Sequence, residues 1–152
     1  MPPELVVRPF VPGDDAACRA LASRAAMSSY GERLPDARAA LADPATPLEA
    51  VALRLVALAD DAIVGFVDVE GHHVANLFVD PAVQGRQIGA ALLSEAEARI
   101  AGDVTLNVFI VNPRARAFYE RHGYVCTGTR RTIFFGAEAK MWSMVKRRGG
   151  GD

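Results

Sequence analysis

Two adjacent aspartates, Asp60-Asp61, separate two β-rich runs, Val51 to Ala59 and Ala62 to Glu70. A two-residue hairpin loop demands left-handed backbone, which Asp tolerates, so the pair predicts antiparallel neighbours joined by a tight turn. A second turn at Gly71-His72 leads into another strand, Val74 to Val79, which Pro81 ends. Hairpins of this kind imply a mixed rather than a purely parallel sheet.

The remaining pattern alternates strands with helices. Leu5 to Arg8 reads as a first strand, and Asp14 and Asp15 are placed to cap a helix carrying Cys18, Leu21, Ala22 and Ala25 at helical spacing. Gly31, Pro35, Pro44 and Pro47 break up the next stretch, leaving a short helical possibility around Asp36 to Ala42 inside a substrate-side loop or a plain connector. Gln84 to Ile100 reads as a long helix with Ile88, Leu92, Ala96 and Ile100 on one stripe. Val104 to Val111 predicts a strand, Pro113 to His122 a helix, and Tyr124 to Lys146 two closing strands. The expected fold is α/β: a mixed, mostly antiparallel twisted sheet of about six to seven strands with helices on both faces. Residues 1–148 are expected to form one domain and 149–152 a flexible tail.

Composition narrows the function. At 152 residues and 51% hydrophobic, the chain can bury a core without metals or crosslinks. Its 17 Lys plus Arg against 18 Asp plus Glu leave no overall field for nucleic acid or an anionic membrane. Basic clusters are confined to Arg130-Arg131 and Lys146-Arg147-Arg148, without the interleaved aromatics of a nucleic-acid stripe. Cys18 and Cys126 have neither zinc-site nor CxxC spacing, so no metal is expected and both read as buried free thiols. No apolar stretch is long enough to cross a bilayer and the start lacks signal-peptide character, so a cytoplasmic protein is expected.

The segment Leu77 to Ala90 places a loop of free backbone N–H groups at a helix start, where an anion such as a diphosphate is stabilised. Gly85 and Gly89 lack a Cβ, allowing a left-handed turn and a close approach, and Arg86 offers a charge-assisted hydrogen bond. Taken alone the same residues also describe an ordinary αβ connection. There is no Gly-x-Gly-x-x-Gly and no Gly-Lys-Ser/Thr, which disfavours a dinucleotide fold or a nucleotide triphosphatase.

Farther on, Asn112-Pro113 is a helix start, with a capping side chain and a proline whose missing N–H costs nothing there, and Gly123 is the matching stop. Ala115, Phe118, Tyr119 and His122 fall on one side of that helix, which a packed aromatic stripe also explains.

The two segments together resemble the GNAT family of N-acetyltransferases. Gln84, Gly85, Arg86, Gln87, Ile88 and Gly89 occupy the six positions of its acyl-CoA motif, Gln/Arg-x-x-Gly-x-Gly/Ala, after a strand ending in Val-x-Pro. The motif's fourth position is usually glycine and here is Gln87. Asn112, Ala115, Phe118-Tyr119-Glu120 and Gly123-Tyr124 match the family's second signature. The resemblance implies a GNAT-like acyl-CoA N-acyltransferase fold and acetyl-CoA as cosubstrate, bound by Leu77, Phe78, Val79, Gln84 to Ala90, Asn112 and Tyr119. By the same match the backbones of Leu77 and Val79 pair with the pantetheine arm, Asn112 hydrogen-bonds it, and the Tyr119 hydroxyl protonates the departing thiolate.

Amide formation needs a neutral amine, and a lysine-like amine with a pKa near 10.4 is mostly protonated at pH 7. Candidate proton acceptors sit around the hairpin before the cofactor strand: Asp68, Glu70, His72 and His73, of which Glu70 and His73 are carried forward beside Tyr119 as catalytic candidates. Each also reads as a wet strand face or an exposed turn. The acceptor is expected to be a small-molecule or peptide amine, Tyr30 and Arg33 are candidates to line its site, and a homodimer is possible. A non-catalytic acyl-CoA sensor is the competing reading.

Overall fold

A computed structural model describes residues 5–31, 33–83, 87–134 and 136–148. Seven strands and four α-helices follow one another as β1 (Leu5–Pro9), α1 (Asp15–Tyr30), α2 (Arg38–Ala42), β2 (Leu53–Ala59), β3 (Ala62–Glu70), β4 (His73–Val79), α3 (Ile88–Ala98), β5 (Val104–Phe109), α4 (Pro113–Arg121), β6 (Val125–Phe134) and β7 (Ala137–Lys146). They build one sheet in the order β1-β2-β3-β4-β5-β7-β6. Every neighbouring pair is antiparallel except β4 and β5. The expected mixed, mostly antiparallel sheet of six to seven strands is what forms.

The Asp60-Asp61 turn is as expected, with φ of 50° and 66°, the left-handed pair that closes a two-residue hairpin. The start of α1 differs from its expected form. Asp14 stands at the N-cap without a side-chain cap bond. Its carboxylate is taken by Arg8 (2.8 and 3.0 Å) and by the Val11 N–H (2.9 Å), so it ties β1 to the turn before the helix. Arg8 holds the Asp14 carboxyl below the usual carboxylate range.

Apolar alternation sorts the two faces of the sheet. Leu55 and Ala57 of β2 join Val67 and Val69 of β3 beneath α3, with Ile88, Leu92 and Ala96 on the helix side. Val56 and Phe66, one residue out of step, meet Cys18 and Leu21 of α1 on the other face. The Cys18 thiol is pushed up to about 11, chiefly by burial, and is inert as a nucleophile. Close packing of α3 requires Gly65: a Cβ there would come within 2.9 Å of the Leu92 side chain and of the Phe78 carbonyl.

Two irregularities shape the middle of the sheet. In the β3–β4 pair, Asp68 faces Asn76 and Val69 faces Val74, so Ala75 is an extra residue and β4 bulges there. The parallel β4–β5 pair keeps register only at His73 with Thr105 and Val74 with Leu106. Beyond that point the two strands part and a gap opens in the sheet. The helix expected over Gln84 to Ile100 spans Ile88–Ala98, because Gln87 is left-handed (φ 62°, ψ 19°) and cannot continue it backwards. Gln84, Gly85, Arg86 and the expected tail at 149–152 lie outside the described residues.

Candidate active site

The gap between β4 and β5 opens into a cleft of about 1080 Å³, walled by α3 on one side and α4 on the other. A smaller cavity of about 170 Å³ fills the gap itself and reaches Ser29 and Tyr30 at the end of α1. Leu77, Val79, Asn112, Ala115 and Tyr119 line both spaces.

The α3 wall supplies hydrogen-bond donors. The first bond of this helix runs from the Ala91 N–H to the Gln87 carbonyl (3.1 Å), so the N–H groups of Ile88, Gly89 and Ala90 have no acceptor within the helix. All three residues, with Gln87, line the cleft. A Cβ on Gly89 would stand 3.4 Å from the Phe118 ring and 3.7 Å from the Val79 side chain, so the helix start nearly touches α4 and β4. The left-handed backbone at Gln87 explains in physical terms why glycine suits this position. Arg114, Arg121 and His122 line the same cleft from α4. Among the described residues no carboxylate lines it. Free helix-start amides opposite guanidinium groups fit a diphosphate.

The α4 wall supplies the hydroxyl. Asn112 caps the helix, its Oδ1 accepting from the Ala115 N–H (3.1 Å), and its Nδ2 donates to the Tyr30 hydroxyl (3.0 Å). A second tie beside it runs from Arg33 to the Val111 carbonyl (2.6 Å). The cap of α4 is thereby fastened to the end of α1 across the cavity. Gly123, at φ 95°, turns the chain after the helix, and Tyr124 packs edge-on against Tyr119 at 5.7 Å. Tyr119 is half-buried, and no described residue hydrogen-bonds its hydroxyl. Burial first, and then neighbouring Tyr30, push its pKa above the ordinary phenol value, so it stays protonated.

The two base candidates lie apart from this group. Glu70 is exposed and accepts from the Ala52 N–H (2.5 Å) at the far end of β3. His73 sits at the closed end of the β4–β5 pair, its Nδ1 2.8 Å from the Thr105 hydroxyl, and neither it nor Glu70 lines either space. Burial, then Arg130, lowers the His73 pKa. Asp68 is buried in an ion pair with Arg54 (2.7 Å). Tyr30 does line the smaller cavity, and Arg33 the larger. Asn76, Asn107, Arg114 and Arg121 also line these spaces and went unmarked in the sequence reading. The signal for Asn76 was present: it is the polar residue inside the apolar run Val74 to Val79. Among the described residues there is no cluster of His, Cys, Asp or Glu suited to a metal, and no helix is long and apolar enough to cross a membrane.

Residues 52–126 match the family model of the Acetyltransferase (GNAT) domain. The peptidyl-lysine N-acetyltransferase YjaB of Salmonella typhimurium is 40% identical over 74 residues, 48% of this chain and 50% of the relative. The matched sequence thus spans about half the length of that curated relative. Among solved structures, the GCN5-related N-acetyltransferase "Aminotransferase, Class-II" from Rhodopseudomonas palustris superposes with a TM-score of 0.78 at 25% identity, covering 97% of this chain and 98% of that one. The apo form of YjaB from Escherichia coli superposes at 0.77 and 24% identity, covering 94% and 97%, which extends the likeness in fold over the whole relative. The match to the GNAT acetyltransferase domain thus lies in residues 52–126, which hold β4, α3 and the tyrosine-bearing α4 around the cleft, and the likeness in fold extends over the rest of the chain.

Proposed function

We propose that this protein transfers an acetyl group from acetyl-CoA to a primary amine by direct attack within a ternary complex. The observation that carries the reading is the opposition, across one cleft, of the free Ile88, Gly89 and Ala90 amides and the unpartnered Tyr119 hydroxyl. The amides and the α4 arginines hold the diphosphate. The parted edge of β4 at Leu77 and Val79 offers backbone groups to the amide-rich arm. Asn112, already used at both ends of its amide, exchanges its Tyr30 bond when it serves that arm.

Acetyl-CoA supplies a thioester carbonyl. The amine nitrogen bonds to that carbon, the carbon–sulfur bond breaks, and the amine's surplus proton passes to solvent. His73 is better placed than Glu70 to accept that proton through water: the next residue, Val74, lines the cavity, and burial favours the neutral imidazole. Tyr119, with its raised pKa, acts on the leaving sulfur first as a hydrogen-bond donor, since full transfer to a thiolate whose acid has a pKa of about 8.5 runs uphill.

The acceptor class that suits a 170 Å³ cavity walled by Tyr30, Phe109 and Phe134 is a slender primary amine at the end of an alkyl chain, as in a lysine side chain. The peptidyl-lysine activity named for YjaB supports that choice. Amine-dependent release of free thiol from acetyl-CoA tests it. Release with a lysine peptide, and none with the same peptide acetylated on its lysine, is expected; binding of acetyl-CoA with no release to any amine would leave a CoA-binding protein without transfer.

A further inference from the structure

Among the described residues, Asp14 and Asp68 are the buried charged ones, and Asp68 has 1% of its surface exposed. Its carboxylate receives both arms of Arg54, at 2.7 and 2.9 Å, and a third bond from Asn76 Nδ2 at 3.0 Å. Arg54 is itself fixed: it donates to the Glu49 carbonyl at 3.0 Å and its guanidinium lies 5.3 Å from the centres of both the Phe10 and Phe66 rings. A buried ion pair with this many supports keeps one geometry, because moving any partner strands a charge away from water.

The free end of the chain of bonds is Asn76. A carboxylate only accepts hydrogen bonds, so the Asn76 amide must point its nitrogen at Asp68 and its oxygen the other way. That oxygen takes no hydrogen bond from any described residue and is not sealed off. Asn76 stands directly after the bulged residue Ala75, where β4 leaves β5, and lines the cavity in the gap. Among the described residues no carboxylate or histidine lines that cavity. An amine entering it needs an acceptor for its N–H groups, and an amide oxygen polarised by the carboxylate behind it is one.

We infer that Asn76 receives the acceptor amine through its Oδ1, with Asp68 and Arg54 as positioning residues that set the amide's direction. The inference rests on the reading of the cavity as the amine side of an acetyltransferase. It makes Asn76 a determinant of amine affinity and leaves acetyl-CoA binding to the other walls.

Two readouts test it. In steady-state thiol release with a lysine peptide, Asn76→Ala raises the peptide KM roughly tenfold, the loss of one hydrogen bond to a charged group, while the acetyl-CoA KM stays within about twofold. Asn76→Leu, which keeps the volume and removes the oxygen, behaves alike; Asp68→Asn, which frees the amide to turn, raises the same constant if the protein still folds. Equal changes in both Michaelis constants, or none, overturn the inference. The second readout needs no turnover: in CoA-saturated wild-type protein, the Asn76 side-chain NH₂ resonances shift on adding the lysine peptide. Unshifted resonances overturn the inference, whereas thiol release by the wild type judges the acetyltransferase reading separately.

Discussion

Helix α3 buries Ile88, Leu92, Leu93 and Ala96 in the core, whereas α4, across the cleft, has no residue buried so completely. The first is placed by apolar area and the close approach at Gly65; the second by its ends, through the Asn112 cap, the Tyr30 tie and the turn at Gly123. Arg116 of α4 adds a stacking contact over Trp142 at 4.3 Å. The division suits the chemistry. On the proposed function, amides that hold a diphosphate need a rigid helix, and α3 is locked into the sheet, whereas a hydroxyl and cap that serve the ligand arm need room to adjust, and α4 is fastened by a few polar contacts.

Truncation separates the two helices most sharply. Leu92→Ala removes a fully enclosed side chain and is expected to cost about 2–5 kcal/mol in urea unfolding, with Phe118→Ala, half-buried beside the cleft, losing less. Comparable losses would mean that α4 is anchored as deeply as α3. Next in size, Tyr119→Phe should lower kcat by roughly ten- to a hundredfold while the acetyl-CoA dissociation constant changes little. Equal turnover in the two proteins would remove the hydroxyl from the reaction.

Asn112 allows its two duties to be separated. Asn112→Ala gives up the cap and costs about 1 kcal/mol, whereas Asn112→Ser keeps a capping oxygen but falls short of Tyr30. Thermal melts should therefore place the serine variant near wild type. The smallest effect is at Gln87, where Gln87→Gly relieves a left-handed backbone at the cleft and should change stability by less than about 1 kcal/mol, in the stabilising direction. A marked loss would show that the Gln87 side chain itself holds the loop.

Much of this architecture was legible in the sequence because its periods and turn residues act locally. Ala62 to Glu70 forms with the expected limits, and the Ile88, Leu92, Ala96, Ile100 stripe is buried. What pattern could not convey were the non-local partners. Asp14 looks like a cap until Arg8 is seen beside it, and Asp68 looks like a strand's wet face until Arg54 arrives from β2. The site divides similarly. Leu77, Val79, Gln87, Ile88, Gly89, Ala90, Asn112 and Tyr119 line the one cleft, and Phe78 lines the smaller cavity. Glu70 and His73 share a hairpin with those residues in sequence but sit beyond the walls, because the gap begins only after Val74. The Asn112–Tyr30 bond joins residues 82 apart, a distance that no local spacing encodes.

The most direct test of the cleft is amide hydrogen exchange at Ile88, Gly89 and Ala90, followed by NMR with and without CoA. Exchange slowed at these three amides on adding CoA is the expected result, since the ligand would provide the acceptors the helix lacks. Unchanged exchange there, with protection appearing elsewhere on the molecule, would contradict the assignment of this cleft as the acyl-CoA site.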